Sequence, residues 1–219
     1  MGGSRAAVVL GLTLGVLPMS ANCVAQQDDG TPAGFERILR LQDGRYNKHG
    51  WNHYGPGYFE LDRETGVLTA HGGMGLLWYA AEQYADFVLE LEFRTTDRPN
   101  NSGIFLRVPE MPTSDDYIYH SFEIQIDDGS EGIHHTGAVY DAEAPVKSAS
   151  RAPGEWNHYR ITFQGSRITV VLNGQQVVDW GAEPRGKIRD FGPRGYIGLQ
   201  NHDDGSPVQF RNIFVRKLP

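Results

Sequence analysis

An all-β sandwich or jelly roll is the fold class this sequence predicts, and three observations predict it. Apolar and polar residues alternate with period 2 in short runs, Gly, Pro, Asn and Asp punctuate those runs, and beyond the first 25 residues no long window shows helical periodicity. Glycine, 27 of 219 residues, suits many tight turns. Period 2 sends every second side chain to the same face of a strand, so each run reads as half buried.

The N-terminus stands apart from this pattern. Arg5 provides a positive start, AAVVLGLTLGVL (6–17) an apolar core, and CVA (23–25) a small-residue end compatible with cleavage before Gln26. The apolar run is shorter than the ~20 residues a membrane span needs. Residues 1–25 therefore read as a signal peptide, and the protein as exported, periplasmic or extracellular, with no membrane-spanning segment in the mature chain. Cys23, the one cysteine, leaves with the signal in this reading; processing of SANC (20–23) as a lipobox would instead make it a lipid anchor. A mature chain of 194 residues without cysteine has no disulfide and enough length for one large core. Residues 26–34 form a short polar tail and 35–219 a single domain. The formal charge of -7, without Lys/Arg clusters, argues against nucleic acid, whose binding draws on phosphate neutralisation, and favours a neutral or polar small ligand.

Along the domain, residues 51–79 come first and hold Trp51, His53, Tyr54, Tyr58, Phe59, Trp78 and Tyr79. Their Gly-rich centre reads as loop and hairpin rather than core strand, and Trp78 or Tyr54 is a rim aromatic suited to stacking on a pyranose. DFVLELEFR (86–94) is a half-buried strand, with Phe87, Leu89, Leu91 and Phe93 on one face. SGIFLRV (102–108), SFEIQID (121–127), HYRITFQ (158–164), RITVVLNGQQVVDW (167–180), GYIGLQNH (195–202) and VQFRNIFVRKL (208–218) repeat the pattern. Asn173-Gly174 predicts a two-residue hairpin turn, because type I′ geometry needs positive φ at both positions.

Three of these strands carry unusual polar faces. Asn101, Gly103, Phe105 and Arg107 share a parity, as do Glu123, Gln125 and Asp127, and as do Tyr196, Gly198, Gln200 and His202. Solvated strand faces favour Lys, Glu, Thr and Ser, whereas Asn, Gln, His, Arg and Tyr match the hydroxyls of a sugar. Gly103 and Gly198 would let a ligand approach the backbone. Glu123 and Asp127 lie roughly 13 Å apart along an extended strand, too far for the carboxyl pair of an ordinary glycosidase, which needs ~5–9.5 Å. His134 and His135 are adjacent in a loop and point apart. His202 is the better general base, since it shares the face of Gln200 and has acidic Asp203 and Asp204 beside it. No phosphate loop, dinucleotide fingerprint, nucleophile elbow or compact metal motif occurs, so a metal site would have to be assembled from separate strands.

NSGIFLR (101–107), FEIQIDD (122–128), TGAVYD (136–141), GEWNHYRITFQGSRITVVLNG (154–174) and GYIGLQNHDDGSPVQFRNIFV (195–215), in this order, resemble the 3-keto-disaccharide hydrolase family. The resemblance runs from about Phe35 to the C-terminus, with HYGPG and GGMGLLWY as departures. It implies a concanavalin-like jelly-roll β-sandwich of two antiparallel sheets acting on 3-keto-glycosides or 3-keto-disaccharides. It implies elimination and hydration, in which a base removes the acidified C2 proton, the enolate expels the C1 substituent and water adds. Parity and motif together give Glu123 or His202 as base or metal ligand, Arg107 as oxyanion stabiliser or anchor and Tyr140 as acid for the leaving oxygen. Asn101, Gln125, Gln200, Trp78 and His135 complete the substrate-binding set. A divalent metal ion is the possible cofactor, and a sugar 3-oxidoreductase the possible upstream partner. A non-catalytic, lectin-like carbohydrate-binding module is the alternative, expected to show a shallow aromatic groove. A structural accessory would expose a large apolar patch.

Overall fold

The alternating runs become two antiparallel sheets in a computed structural model that describes residues 1–3, 29–96 and 100–219. Apart from residues 1–3, the expected signal peptide lies outside the described residues, as does the start of the polar tail. The remainder of that tail is tied down where Arg37 donates to the Asp29 carbonyl at 2.5 Å.

The larger sheet has the spatial order Gln175–Gly181, Arg167–Leu172, Asn157–Gln164, Phe87–Arg94, Gln209–Lys217, Leu68–His71, Tyr58–Leu61, with Glu36–Arg37 added beside Gln209–Lys217. The smaller runs Phe122–Ile126, Ser102–Val108, Tyr196–Asn201, Gly75–Tyr79, Trp51–Tyr54. The Leu172–Gln175 connection has the predicted turn, with φ 51° at Asn173 and 78° at Gly174. Phe87, Leu89, Leu91, Phe93, Tyr159, Ile161 and Phe163 from one sheet meet Ile104, Leu106, Phe122, Ile124, Ile126, Ile197 and Leu199 from the other in a single buried cluster. Each such side chain contributes on the order of 2 kcal/mol by leaving water. A one-residue slip would expose an entire strand's set, so the pairing register is fixed. Helical structure among the described residues is confined to two 3₁₀ segments, Asp115–Tyr119 and Gly132–His134. No described helix is long and apolar enough to cross a membrane.

Residues 51–79 differ from the loop-and-hairpin expectation. They supply four strands, two to each sheet, and Gly75–Tyr79 is buried throughout. Its GLLWY sequence has no polar alternation because both faces are covered, one by the core and the other by a second apolar cluster of Leu76, Trp78, Phe105, Val108 and Tyr117.

The chain also extends the smaller sheet at its exposed edge. Gly137 donates to the Gln125 carbonyl at 3.0 Å, Gln125 to that of Ala138 at 3.0 Å, and Tyr140 to that of Glu123 at 2.8 Å. The TGAVYD stretch thereby covers the backbone of Phe122–Ile126 and sets Tyr140 beside Glu123.

Candidate active site

The outer face of the smaller sheet is divided in two. One half is filled by the second apolar cluster. The other sinks into a cavity of about 160 Å³.

Strand residues Glu123, Gln125 and Gln200 line this cavity, and the flanking Asn101 and His202 line its ends. Gly103 is opposite Gln125 in register, and a methyl group there would collide with the Glu123 carboxylate. Gly198 likewise accommodates Leu76, whose Cδ1 would lie 2.8 Å from an added Cβ. Both glycines make room for a neighbouring side chain, not for a ligand as their spacing suggested.

Glu123 is 7% exposed. Burial deprives its charged form of water, and the Lys187 ammonium offsets only part of this, so its pKa is pushed up to about 8. At neutral pH it is a hydrogen-bond donor. Lys187 itself stays cationic: burial opposes its charge, but its hydrogen bond to the Tyr140 hydroxyl and the attraction of Tyr140, Glu123 and Asp141 outweigh that and raise its pKa. Lys187 Nζ donates to Tyr140 Oη at 3.2 Å and sits 4.5 Å from the ring centroid. Its loop is anchored from both sides, because Ile188 is buried in the core, Arg185 donates to the Ala142 carbonyl at 3.1 Å, and Arg189 donates its amide proton to the Tyr119 carbonyl at 2.9 Å.

The amides lie on the same sheet face as Glu123. Gln125 Nε2 donates to Asn101 Oδ1 at 3.5 Å, while the buried Oε1 atoms of Gln125 and Gln200 have no partner among the described residues. An unpaired buried acceptor costs about 1–3 kcal/mol, so both oxygens favour a ligand that brings hydroxyl donors. At the end of the cavity His202 Nδ1 is 2.6 Å from Asp203 Oδ2. Burial opposes the charge on Asp203, but bonds from His202, the Gly205 amide and the Ser206 hydroxyl prevail and lower its pKa. This anion fixes the proton on Nδ1 and leaves Nε2 as the basic nitrogen.

Glu123, His202, Asn101, Gln125 and Gln200 thus converge as parity indicated, and Tyr140, singled out with the TGAVYD motif, joins them. Arg107 does not. Two residues of its strand, Leu106 and Arg107, face one of the partner, and Arg107 has φ 56°. This bulge turns the guanidinium away from the cavity, to the carbonyls of Ala85 and Gly165, to Asp86, and over the Phe163 ring. Arg107 is a structural tie and not an oxyanion stabiliser. Trp78 is buried in the second apolar cluster, not at a rim. His135 lies outside the cavity lining, with Nδ1 2.9 Å from the Ser130 carbonyl. Asp127 accepts from the amides of Gly129 and Ser130 and closes a turn.

Sequence reasoning missed Lys187, Met74 and Ile118. They lie in GAEPRGKIRD, GGMG and SDDYIYH, where no strand parity assigns a face. Among the described residues no group of three His, Cys, Asp or Glu side chains is placed to hold a metal ion. The residues present therefore do not fit a divalent cation held chiefly by such ligands. A larger surface groove of about 670 Å³ beside Lys48, Tyr58 and Glu60 holds no buried carboxyl. Exposed large apolar side chains come from separate stretches, among them Tyr58, Met111 and Val146.

A jelly-roll sandwich with a small, amide-walled cavity around one neutral carboxyl defines the class as carbohydrate-related. The model of the 3-keto-alpha-glucoside-1,2-lyase-like domain matches residues 38–216, and the chain belongs to that family. A crystal structure of a candidate glycosyl hydrolase from Parabacteroides distasonis is similar at 30% identity and TM-score 0.68, covering 84% of this chain and 99% of that one. A second from the same organism has 21% identity and TM-score 0.71 over 85% and 94%. The carbohydrate-binding module CBM66 of Bacillus subtilis shares the fold, with 15% identity and TM-score 0.54 over 77% of this chain and 96% of that one. No curated protein matches the chain.

Proposed function

We propose that the protein is an exported enzyme that cleaves the glycosidic bond of 3-keto-glycosides or 3-keto-disaccharides by elimination and hydration. One observation carries the reading: among the described residues a single carboxyl, that of Glu123, lines the cavity, and its burial pushes its pKa up to about 8 and so favours the neutral form at pH 7. An ordinary glycosidic displacement uses two carboxyls. Abstraction of a proton beside a ketone needs one base and a donor for the enolate oxygen.

In this scheme His202 Nε2 takes the C2 proton and Glu123 donates a hydrogen bond to the C3 oxygen as negative charge develops there. A carboxylic acid kept neutral by an apolar site serves an enolate in this way. The electrons of the C2–H bond form C1=C2 and the C1–O bond breaks. Tyr140 gives its proton to the departing oxygen, and Lys187, already donating to Tyr140, stabilises the phenolate left behind. Water then adds across the enone, oxygen to C1 and hydrogen to C2, for net hydrolysis. Gln125, Gln200 and Asn101 hold the remaining hydroxyls. The 3-ketone must come from an earlier oxidation, so a sugar 3-oxidoreductase is the partner reaction.

The test is to incubate the protein with a glucoside and its 3-keto form in D₂O. Expected are a transient enone absorbance, deuterium at C2 and release of the aglycone from the 3-keto form alone. Cleavage restricted to the unoxidised glucoside would refute the mechanism. Binding of both without cleavage would favour the lectin-like alternative.

A further inference from the structure

Granting that reaction, the cavity accounts for only part of a substrate. A hollow of ~150 Å³ holds one benzene ring, so about 160 Å³ takes one six-membered sugar ring and not two. The group attached at C1 must rest on the mouth. Of the lining side chains Met74 and Ile118 are the apolar ones, and both are partly open to solvent.

Met74 is 41% exposed, in a molecule that buries most of its large apolar side chains. Its backbone is nonetheless closely fixed. Gly72 and Gly73 hold φ of 75° and 99° just before it, and an added Cβ at Gly55 would lie 2.5 Å from the Met74 carbonyl oxygen. Ile118 is equally well supported, since neighbouring Tyr117 packs edge-on against Phe105 at 5.1 Å and Tyr54 at 6.3 Å. Two firmly mounted apolar side chains thus stand at the entrance to a polar cavity. Methionine is flexible and polarizable and makes favourable contacts with aromatic rings. A second sugar would find no hydrogen-bonding partner on either side chain.

We infer that Met74 and Ile118 form a subsite for an aromatic aglycone, so that aryl 3-keto-glycosides are preferred over 3-keto-disaccharides. The inference rests on the cavity holding the sugar ring of the proposed reaction. Its test is a pair of dissociation constants, for phenyl and methyl 3-keto-glucoside, measured on His202→Gln protein, which lacks the base, to suppress turnover. The phenyl compound is expected to bind about tenfold tighter, from burial of part of its ring. Adding Met74→Gln should reduce the ratio to within about threefold, while Met74→Leu should preserve it, on the same burial argument. Equal binding of the two ligands, binding of neither, or a ratio indifferent to Met74→Gln would overturn the subsite. Turnover of the same compounds by unmodified protein is scored separately: a phenyl preference without cleavage would leave the subsite standing and remove the reaction.

Discussion

Both sheets turn an alternating polar face outward, yet the two faces behave in opposite ways. On the larger sheet Glu90 is paired in register with Arg160, and the two are in contact. Glu92 lies across from Arg211, which donates to it at 2.7 Å, and Arg94 Nε donates to Gln209 Oε1 at 2.8 Å. Cross-strand partners there satisfy one another. On the smaller sheet Glu123 is opposite Phe105 and Gln125 opposite Gly103. No counter-charge comes from the adjacent strand, and the amide oxygens of Gln125 and Gln200 on this face have no partner among the described residues. A polar face becomes a site where its register withholds partners and its flanking loops close over it.

The sharpest way to break this comparison is to remove one acid from each face. Glu123→Ala should lower turnover of a 3-keto-glucoside roughly 10²–10³-fold, the usual cost of losing one donor to a developing oxyanion, while Glu90→Ala should leave it within about twofold. Similar losses in steady-state assays of both variants would mean that the faces are not functionally distinct.

The next largest effect concerns stability. With its folded pKa at about 8, above the unfolded value near 4.5, Glu123 binds more protons in the native state between those limits. Its contribution is therefore fully present below pH 4.5 and is lost as pH rises to 8. Glu123→Gln cannot ionise, so it should gain on the parent across this interval by on the order of 4 kcal/mol. Thermal melts of both proteins at pH 5 and pH 9 measure the gain; parallel curves would contradict a buried neutral acid. Turnover by the parent should fall above pH 8 as the donor is lost.

Period 2 located the strands from Phe87 onward and brought Glu123, Gln125 and Gln200 to one face, because those residues lie in regular ladders. It failed at Arg107, where one extra residue inverts the parity, and at Gly75–Tyr79, where coverage on both sides erases the alternation. Lys187 was illegible for a different reason. Its position depends on the burial of Ile188 and the bonds of Arg185, contacts distant in sequence. Arg107→Met puts a value on the first failure. The Ala85 and Gly165 carbonyls lose the guanidinium donor, Asp86 keeps only the Gly165 amide, and stability should drop by about 3 kcal/mol. Turnover per folded molecule should be unchanged, whereas a true anchor for substrate would show a raised KM in the same assay.

The smallest expected effect separates satisfied polarity from functional polarity on the larger sheet itself. Arg160 touches Glu90 but is 42% exposed at its side chain, so water competes for both partners and salt screens them. Arg160→Gln should cost less than 1 kcal/mol in urea unfolding, and the difference from the parent should shrink between 50 mM and 500 mM salt. A loss of 2 kcal/mol or more, insensitive to salt, would show that this face stores binding energy as the cavity does. The contrast between the sheets would then lie only in where the loops close, and not in how the strands pair.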